Sequence, residues 1–497
     1  MAVGLGTPLL ALAVVLILKW PFNPARTVRS LEHFTASSVR IETFHRIYIP
    51  RPGYVAGHIT FSRQSKNGGT QLAVVERLEC KGSWWSMLSL THHVEELDIQ
   101  GLQVTIPAEV PPPMRLHPDV KEQISFSKLN ADGAVLEIAP RHAGQHPLRF
   151  LFPQLTLEDI EKNKPMQLQT VMRNPEPPAD LAITAAVGPF AFGAVGQTKM
   201  SGSFYFTHGD LSGFHAIRGM LAAQARFGGT LARCQIQGHA RIPDFEVMSS
   251  RHPVDVAAEF AAIVDGEHGN VTIQSVAAHF LHTTLQASGA IQDRAGDAGK
   301  RVTLALKAEH GRVEDLLRLF ARSDPPAMEG PLTFRAQAQL PAGDAPFLRR
   351  VHLDGDFAIK EASFTKKQTQ EKVNELSHRA RNGKSQREET LPRVTSGLKG
   401  HVHLQNASGK LSDLYFSTPG ATARGEGTYD VLTQKIDLSG KLAMQASLSK
   451  AAGGVKSILL IPLNPFFKRE NAGSVLPVRI TGDYSHPLFR LSLRKRQ

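Results

Sequence analysis

Cysteine is nearly absent: Cys80 and Cys234 are the only two in 497 residues, too few for a disulfide framework and without the CxxC spacing of a metal site. They can join in one bridge after export or stay as two free buried thiols. Aromatic residues are sparse at 7%, and the basic residues run along the chain without Phe or Tyr interleaved as stacking positions, so the formal charge of +12 does not read as a nucleic-acid surface. It suits an anionic membrane surface or a soluble basic one.

Catalytic motifs are missing as well. No HExxH or GxSxG occurs, which removes the commonest zinc-protease and serine-hydrolase signatures. Gly383-Lys384-Ser385 ends like a phosphate loop, but His378 stands where that loop needs a glycine. Gly425-Glu426-Gly427 has Asp430 in place of the third glycine of a dinucleotide fingerprint and reads as turn chemistry, as does Asp354-Gly355-Asp356. His92-His93 beside Glu95 and Glu96, and the alternating pair His401 and His403, lack a cysteine or carboxylate at matching spacing and read as surface histidines. No enzyme, cofactor or resident metal is therefore expected. A hydrolase would need a site assembled from scattered residues.

What the chain does have begins at its start. Met1 to Leu18 carries no charge and is dominated by Leu9, Leu10, Leu12, Val14, Val15, Leu16, Ile17 and Leu18; as a helix it would reach about 27 Å, close to the hydrocarbon thickness of a bilayer. No small-residue cleavage motif follows, since Lys19, Trp20 and Pro21 come next, so retention as an anchor is favoured over removal as a signal peptide. Lys19, Arg26 and Arg29 lie after this span, which by the positive-inside rule conflicts with an exported body. Export then implies a basic leader ahead of Met1.

From Leu97 onward the dominant signal is period-two alternation broken by Gly, Pro, Asn and Asp, the mark of many short strands with one dry and one wet face. Leu332, Phe334, Ala336, Ala338 and Leu340 alternate with Thr333, Arg335, Gln337 and Gln339 between two prolines. The same phase recurs at Leu281 and Leu285, Val302 and Leu304, Val351 and Leu353, and Phe489 and Leu491. At Gly101 the phase flips, as a bulge would make it. Helices are few: Val313, Leu316, Leu317 and Phe320 share one face, a second helix spans about Lys366 to Ala380, and Val28, Leu31 and Thr35 suggest a short one beyond the anchor. The polar stretch Asn382 to Thr390 reads as a loop. Such one-sided strands need either a second sheet or a sheet curled around an apolar groove, and alternation alone leaves both open.

Several segments resemble the AsmA-like proteins of bacterial envelopes, above all near the C-terminus. They are Gly425-Glu426-Gly427-Thr428-Tyr429-Asp430-Val431, Ile436-Asp437-Leu438-Ser439-Gly440, the run from Lys456 to Lys468, and Leu476-Pro477-Val478-Arg479-Ile480-Thr481-Gly482. Asp132 to Ile138 and Val264 to Asn270 look like family segments too. The resemblance implies a mainly β fold: an N-terminal transmembrane helix, then an elongated curled antiparallel sheet of repeating β-groove type with a few short helices. It divides the chain into an anchor (1–20), an N-terminal β region (21–180), a middle groove region (181–350) and a C-terminal domain (351–497).

The same resemblance implies an inner-membrane protein with its bulk in the periplasm, handling phospholipid and supporting the outer membrane, with no nucleic-acid partner. The expected groove lining is Leu281, Leu285, Val302, Leu304, Leu332, Phe334, Leu340, Val351, Leu353, Phe489 and Leu491. Ile458, Leu459, Leu460, Phe466 and Phe467 form either a lid at the groove end or a buried segment closing the last strands. The rival reading is a scaffold for outer-membrane proteins that binds partners by strand addition. An outer-membrane barrel fits worse, given the apolar N-terminal stretch and a chain ending on Arg494-Lys495-Arg496-Gln497.

Overall fold

The structure is a computed structural model describing residues 23–65, 68–85, 93–107, 125–139, 147–160, 164–175, 177–189, 195–214, 216–266, 268–293, 300–343, 345–382, 394–445, 475–483 and 486–491. The chain is mainly β, its strands forming curled, mixed sheet with few helices. It divides into two units, residues 1–208 with 224–234, and residues 209–223 with 235–497. The expected anchor (Leu9, Leu10, Leu12, Val14 to Leu18), the groove-end segment (Ile458 to Leu460, Phe466, Phe467) and most of the Asn382 to Thr390 loop lie outside the described residues. Among the described residues, no helix is long and apolar enough to cross a membrane.

Unit 1 opens with the expected short helix, α1 (Pro24–Thr35). Asn23 caps it, its side-chain oxygen accepting from Arg26 N at 2.8 Å, Pro24 presets the first turn, and Ala36 in left-handed geometry ends it. Val28 and Leu31 turn inward onto a core of Val39, Tyr54, Ala56, Ile59, Val75, Leu78, Cys80, Val94 and Leu97. That core comes from β1 (Ser38–Ile47), β2 (Gly53–Ser65), β3 (Gly68–Gly82) and β4 (His93–Gln100). The ladder continues through β5 (Gln103–Ile106), β6 (Ser125–Ile138), β7 (Leu148–Ile160), β8 (Met166–Pro175), β9 (Pro178–Val187) and β10 (Lys199–Asp210).

This part corrects the expectation of a purely antiparallel sheet, because β4 and β5 both pair with β6 in parallel. A parallel pair cannot be closed by a tight hairpin, and β5 ends at Ile106 whereas β6 begins at Ser125. The phase flip at Gly101, with φ +63°, is more than a bulge: it splits one line of pairing into β4 and β5, which share the neighbours β3 and β6. Of the two cysteine outcomes, the thiols are free and buried. Burial pushes the Cys80 thiol up to about 12 and the neighbouring Tyr54 phenol well above its ordinary value.

Unit 2 holds β11 (Ile217–Arg218), most of β13 (Arg233–Val247), β14 (Val254–Val264), β15 (Val271–Phe280), β16 (Thr283–Asp293), β17 (Lys300–Arg312), β18 (Met328–Glu329), β19 (Pro331–Leu340) and β20 (His352–Phe364). Then come β21 (Ser396–Gln405), β22 (Ser408–Thr418), β23 (Ala421–Asp430), β24 (Lys435–Met444), β25 (Val475–Asp483) and β26 (His486–Leu491). The strand β12 (Met220–Thr230) is divided between the two units, residues 220–223 in unit 2 and 224–230 in unit 1. From β14 to β26 each long strand pairs antiparallel with the next.

Among the described residues three α-helices decorate this ladder: α2 (Val313–Phe320), α3 (Phe347–Arg350) and α4 (Lys367–Asn382). In α2, Val313 and Leu319 are buried, whereas Phe320, expected on the same face, is 47% exposed. The helix has only two turns, and Leu319 packs with Val254 and Phe280 in its place. Asp315, in the first turn, is buried and accepts from Thr283 Oγ1 at 2.7 Å and His282 N at 2.9 Å. The inward face of α4 is mostly polar. Buried Gln370 and Asn374 bond each other and the backbone at Phe364 and Val394, and Ser377 Oγ donates to the Pro419 carbonyl at 2.7 Å.

Candidate functional site

Opposed residues in an antiparallel ladder share a face, so register converts the strand list of unit 2 into rows. One row runs Phe260, Val276, Ala287, Leu306, Ala336, Gly355, Val402, Leu411, Gly427, Leu438, Ile480 and Phe489, one residue from each of β14–β17 and β19–β26. Every position is apolar or glycine. The next row runs Ala262, Ile273, Gly289, Leu304, Ala338, Leu353, Leu404, Gly409, Tyr429, Ile436, Gly482 and Pro487, with one phenol as its polar group. Burial raises that Tyr429 phenol above its ordinary value.

An apolar face packed against a second sheet would be dry. Here Phe260, Val276, Leu306, Val402, Leu411, Leu438 and Ile480 are only half-buried, as are Leu304, Leu353, Leu404 and Ile436. Within the two rows only the small positions Ala336, Gly355 and Gly409 are fully buried; large side chains are fully buried where helices sit. Under α2, Leu332, Ile359 and Ala362 are buried together with Val313, and along α4 Ala380 and Ala421 are buried.

The expected lining residues fall into three groups. Leu285, Val302, Leu304, Leu340 and Leu353 lie on the apolar face: Val302 opposes Ile291 and Leu340, and Leu304 opposes Gly289 and Ala338, while Leu285 also packs against the α2-capped cluster of Val254, Phe280 and Leu319. Phe489 and Leu491 stand in register with Ile480 and Val478 of β25. Leu332 and Phe334 share the face but belong to the helix-covered core. Leu281 and Val351 are corrections. Leu281 occupies a left-handed turn position between β15 and β16, φ +49°, and is 49% exposed, because the hairpin turns before the alternation resumes. Val351 is the C-cap of α3 rather than a strand residue.

Sequence reading missed β21 and β22, and with them Leu398, Val402, Leu404, Leu411 and Phe416. The signal was present but interrupted by Gly400, which occupies an inward position without counting as apolar. The same blindness explains two motifs taken for turns. Gly425-Glu426-Gly427 and Asp354-Gly355-Asp356 both lie in mid-strand, in β23 and β20. Their glycines face the apolar side where neighbouring strands crowd: a Cβ on Gly355 would overlap Ala336 and the Arg335 carbonyl oxygen, and one on Gly425 would come 2.5 Å from the Ser439 carbonyl oxygen.

On the wet face of the same strands, register sets Asp354 opposite His403 and Asp356 opposite His401. His401 Nδ1 is 2.9 Å from Asp356 Oδ1, its Nε2 3.3 Å from Asp354 Oδ2, and His403 Nδ1 2.9 Å from that same oxygen. Asp356, with Asp354, raises the His401 pKa, and His403, with His401, holds the Asp354 carboxyl below the usual carboxylate range. Two motifs that look inert along the sequence thus form one exposed charged square. Among the described residues no group of three or more His, Cys, Asp or Glu side chains is arranged to hold a metal ion.

Unit 1 carries a shallow open pocket lined by Pro165, Ala186, Gly188, Lys199, Met200, Ser201, Gly229 and Thr230. Its polar side chains are Lys199, Ser201 and Thr230. The candidate site is accordingly the apolar face of unit 2. No family model, no curated protein and no solved structure matches the chain.

Proposed function

We propose that the chain is a non-enzymatic lipid-handling protein of the AsmA-like kind, and that the apolar face of unit 2 is a β-groove for phospholipid acyl chains. One observation carries the proposal: the row from Phe260 to Ile480 stays apolar or glycine at every strand, and its large side chains remain half-buried. A face that repels water over such a length, with no second layer on it among the described residues, is suited to a guest that also repels water. Each methylene moved from water into it gains about 0.8 kcal/mol. The twelve paired strands, spaced at about 4.8 Å, give the groove a length of about 50 Å.

In this reading the uncharged stretch Met1–Leu18 holds the protein at the inner membrane. The body lies in the periplasm and lets lipids move passively, supporting envelope and outer-membrane homeostasis. Head groups remain at the wet strand ends and need no dedicated catalytic group, cofactor or energy source.

The test is lipid extraction and mass spectrometry on the full-length purified protein, with lipid bearing a photoreactive acyl chain as a second arm. Co-purified phospholipid, with crosslinks at Leu404, Leu438 or Ile480, is the expected result. Protein that is repeatedly free of lipid and crosslinks to no acyl chain overturns the proposal. Crosslinks to envelope proteins at a sheet edge would favour the scaffold alternative.

A further inference from the structure

The two most exposed large apolar side chains among the described residues lie together at one tip of unit 1: Ile49 is 83% exposed and Trp85 80%. Ile49 sits in the turn between β1 and β2, and Trp85 just beyond β3. The two loops are tied together where Trp84 Nε1 donates to the Pro50 carbonyl at 3.1 Å and Gly82 N to the Pro52 carbonyl at 2.7 Å. Tyr48 adds a third exposed ring. A branched aliphatic and an indole held out in water contribute little to the fold, and such a cluster at a loop tip marks a contact surface.

A second observation says what it contacts. The helix α1 begins at this same end of the unit: Thr27, in its first turn, hydrogen-bonds Tyr54, which opens β2 directly after the tip. Tyr54 in turn stacks on Phe44 of β1, with ring centroids 5.0 Å apart. The chain therefore reaches the tip end at Asn23, coming from the uncharged stretch Met1–Leu18. Exposed Arg46 and Arg51 flank the apolar side chains, Arg51 within 3.5 Å of Glu95, and exposed Arg26 lies next to Thr27.

We infer that this tip is a membrane-docking surface on which Ile49, Trp84, Trp85 and Tyr48 enter the boundary between head groups and acyl chains. Indole and phenol rings favour that depth because one edge is polar and the rest is not. Arg26, Arg46 and Arg51 then meet lipid phosphates, and unit 1 is seated where the N-terminal apolar stretch meets the same bilayer. The inference stands apart from the groove of unit 2, since docking does not require a lipid to be carried.

The test uses the full chain with Trp20→Phe, which leaves Trp84 and Trp85 as the only indoles of the three. It is reconstituted in vesicles of phosphatidylethanolamine and phosphatidylglycerol. Blue-shifted emission is expected, with several-fold stronger quenching by bromines on the upper acyl carbons than by aqueous iodide. In the same background Ile49→Asp should make iodide the stronger quencher, while Cys80 stays protected from alkylation as a check on the fold. Iodide-dominated quenching in the parent overturns the inference. So do unchanged quenching in Ile49→Asp and a photocrosslinker at position 85 that captures protein instead of lipid.

Discussion

The strands beneath α1 and the strands from β21 to β25 both turn large aliphatic residues inward and meet different fates. In unit 1 the inward residues Ile59, Val75 and Leu78 are 0%, 3% and 4% exposed, because α1 lays Val28 and Leu31 across them. In unit 2 the inward residues Leu404, Leu438 and Ile480 are no less apolar yet stay half-buried. Alternation marks a face that avoids water. Whether that face becomes a core or a site is decided by what covers it.

The sharpest way to break this comparison is to remove methylenes from both faces. Ile59→Ala leaves a cavity in a packed core and should destabilise unit 1 by about 3 kcal/mol, read from the shift of its urea transition in the full chain. The helix-covered edge of unit 2 should behave similarly. Asp315→Ala strips the acceptor from Thr283 Oγ1 and His282 N, and leaving buried donors unpaired is expected to destabilise by about 2 kcal/mol. Hydrogen exchange at the turn joining β15 to β16 would report the opening. An Asp315→Ala protein with unchanged protection there would show that α2 does not hold that edge.

The open strands should respond in the opposite sense. Leu438→Ala removes side-chain atoms that already touch water, so the expected stability loss is below about 1 kcal/mol, while the amount of co-purified lipid falls. Leu438→Asp should lower lipid content further with the melting temperature nearly unchanged. If Leu438→Ala were as damaging as Ile59→Ala, the face would be a filled core and the groove reading would fail.

How much of this was legible in the sequence follows the same division. The strands carrying Leu304, Leu340 and Leu353, the helix under Val28 and Leu31, and the helix starting at Val313 all announce themselves through periodic large apolar residues. The inward face of α4 did not, because Gln370, Asn374 and Ser377 are buried through hydrogen bonds that hydropathy does not see. The strands β21 and β23 were blurred by Gly400, Gly425 and Gly427, inward positions whose role is close approach rather than hydrophobicity. The parallel pairing of β6 with β4 and β5 is a choice of partner and direction that no local pattern encodes. The charged square of Asp354, Asp356, His401 and His403 required register, and register places side by side residues more than forty positions apart.

That square supplies the smallest of the expected effects. Asp356, followed by Asp354, raises the His401 pKa, so the contribution of His401 is complete below its unfolded value near 6.5 and fades as pH climbs through the raised folded one. His403 leads in lowering the Asp354 pKa; that contribution is complete above the unfolded carboxylate value near 3.9 and fades as pH falls through the depressed folded one. Both are present together between roughly pH 4 and 6.5, so the pairing of β20 with β21 should be tightest in that window. An NMR titration should find His401 changing charge at a higher pH than an ordinary histidine, and Asp356→Asn should bring it back toward the ordinary value. Because both carboxylates and His403 face solvent, salt should weaken the effect. A His401 that titrates like a free imidazole, indifferent to Asp356→Asn, would mean that the wet face of these strands is merely solvated, leaving the apolar side as the functional half of the sheet.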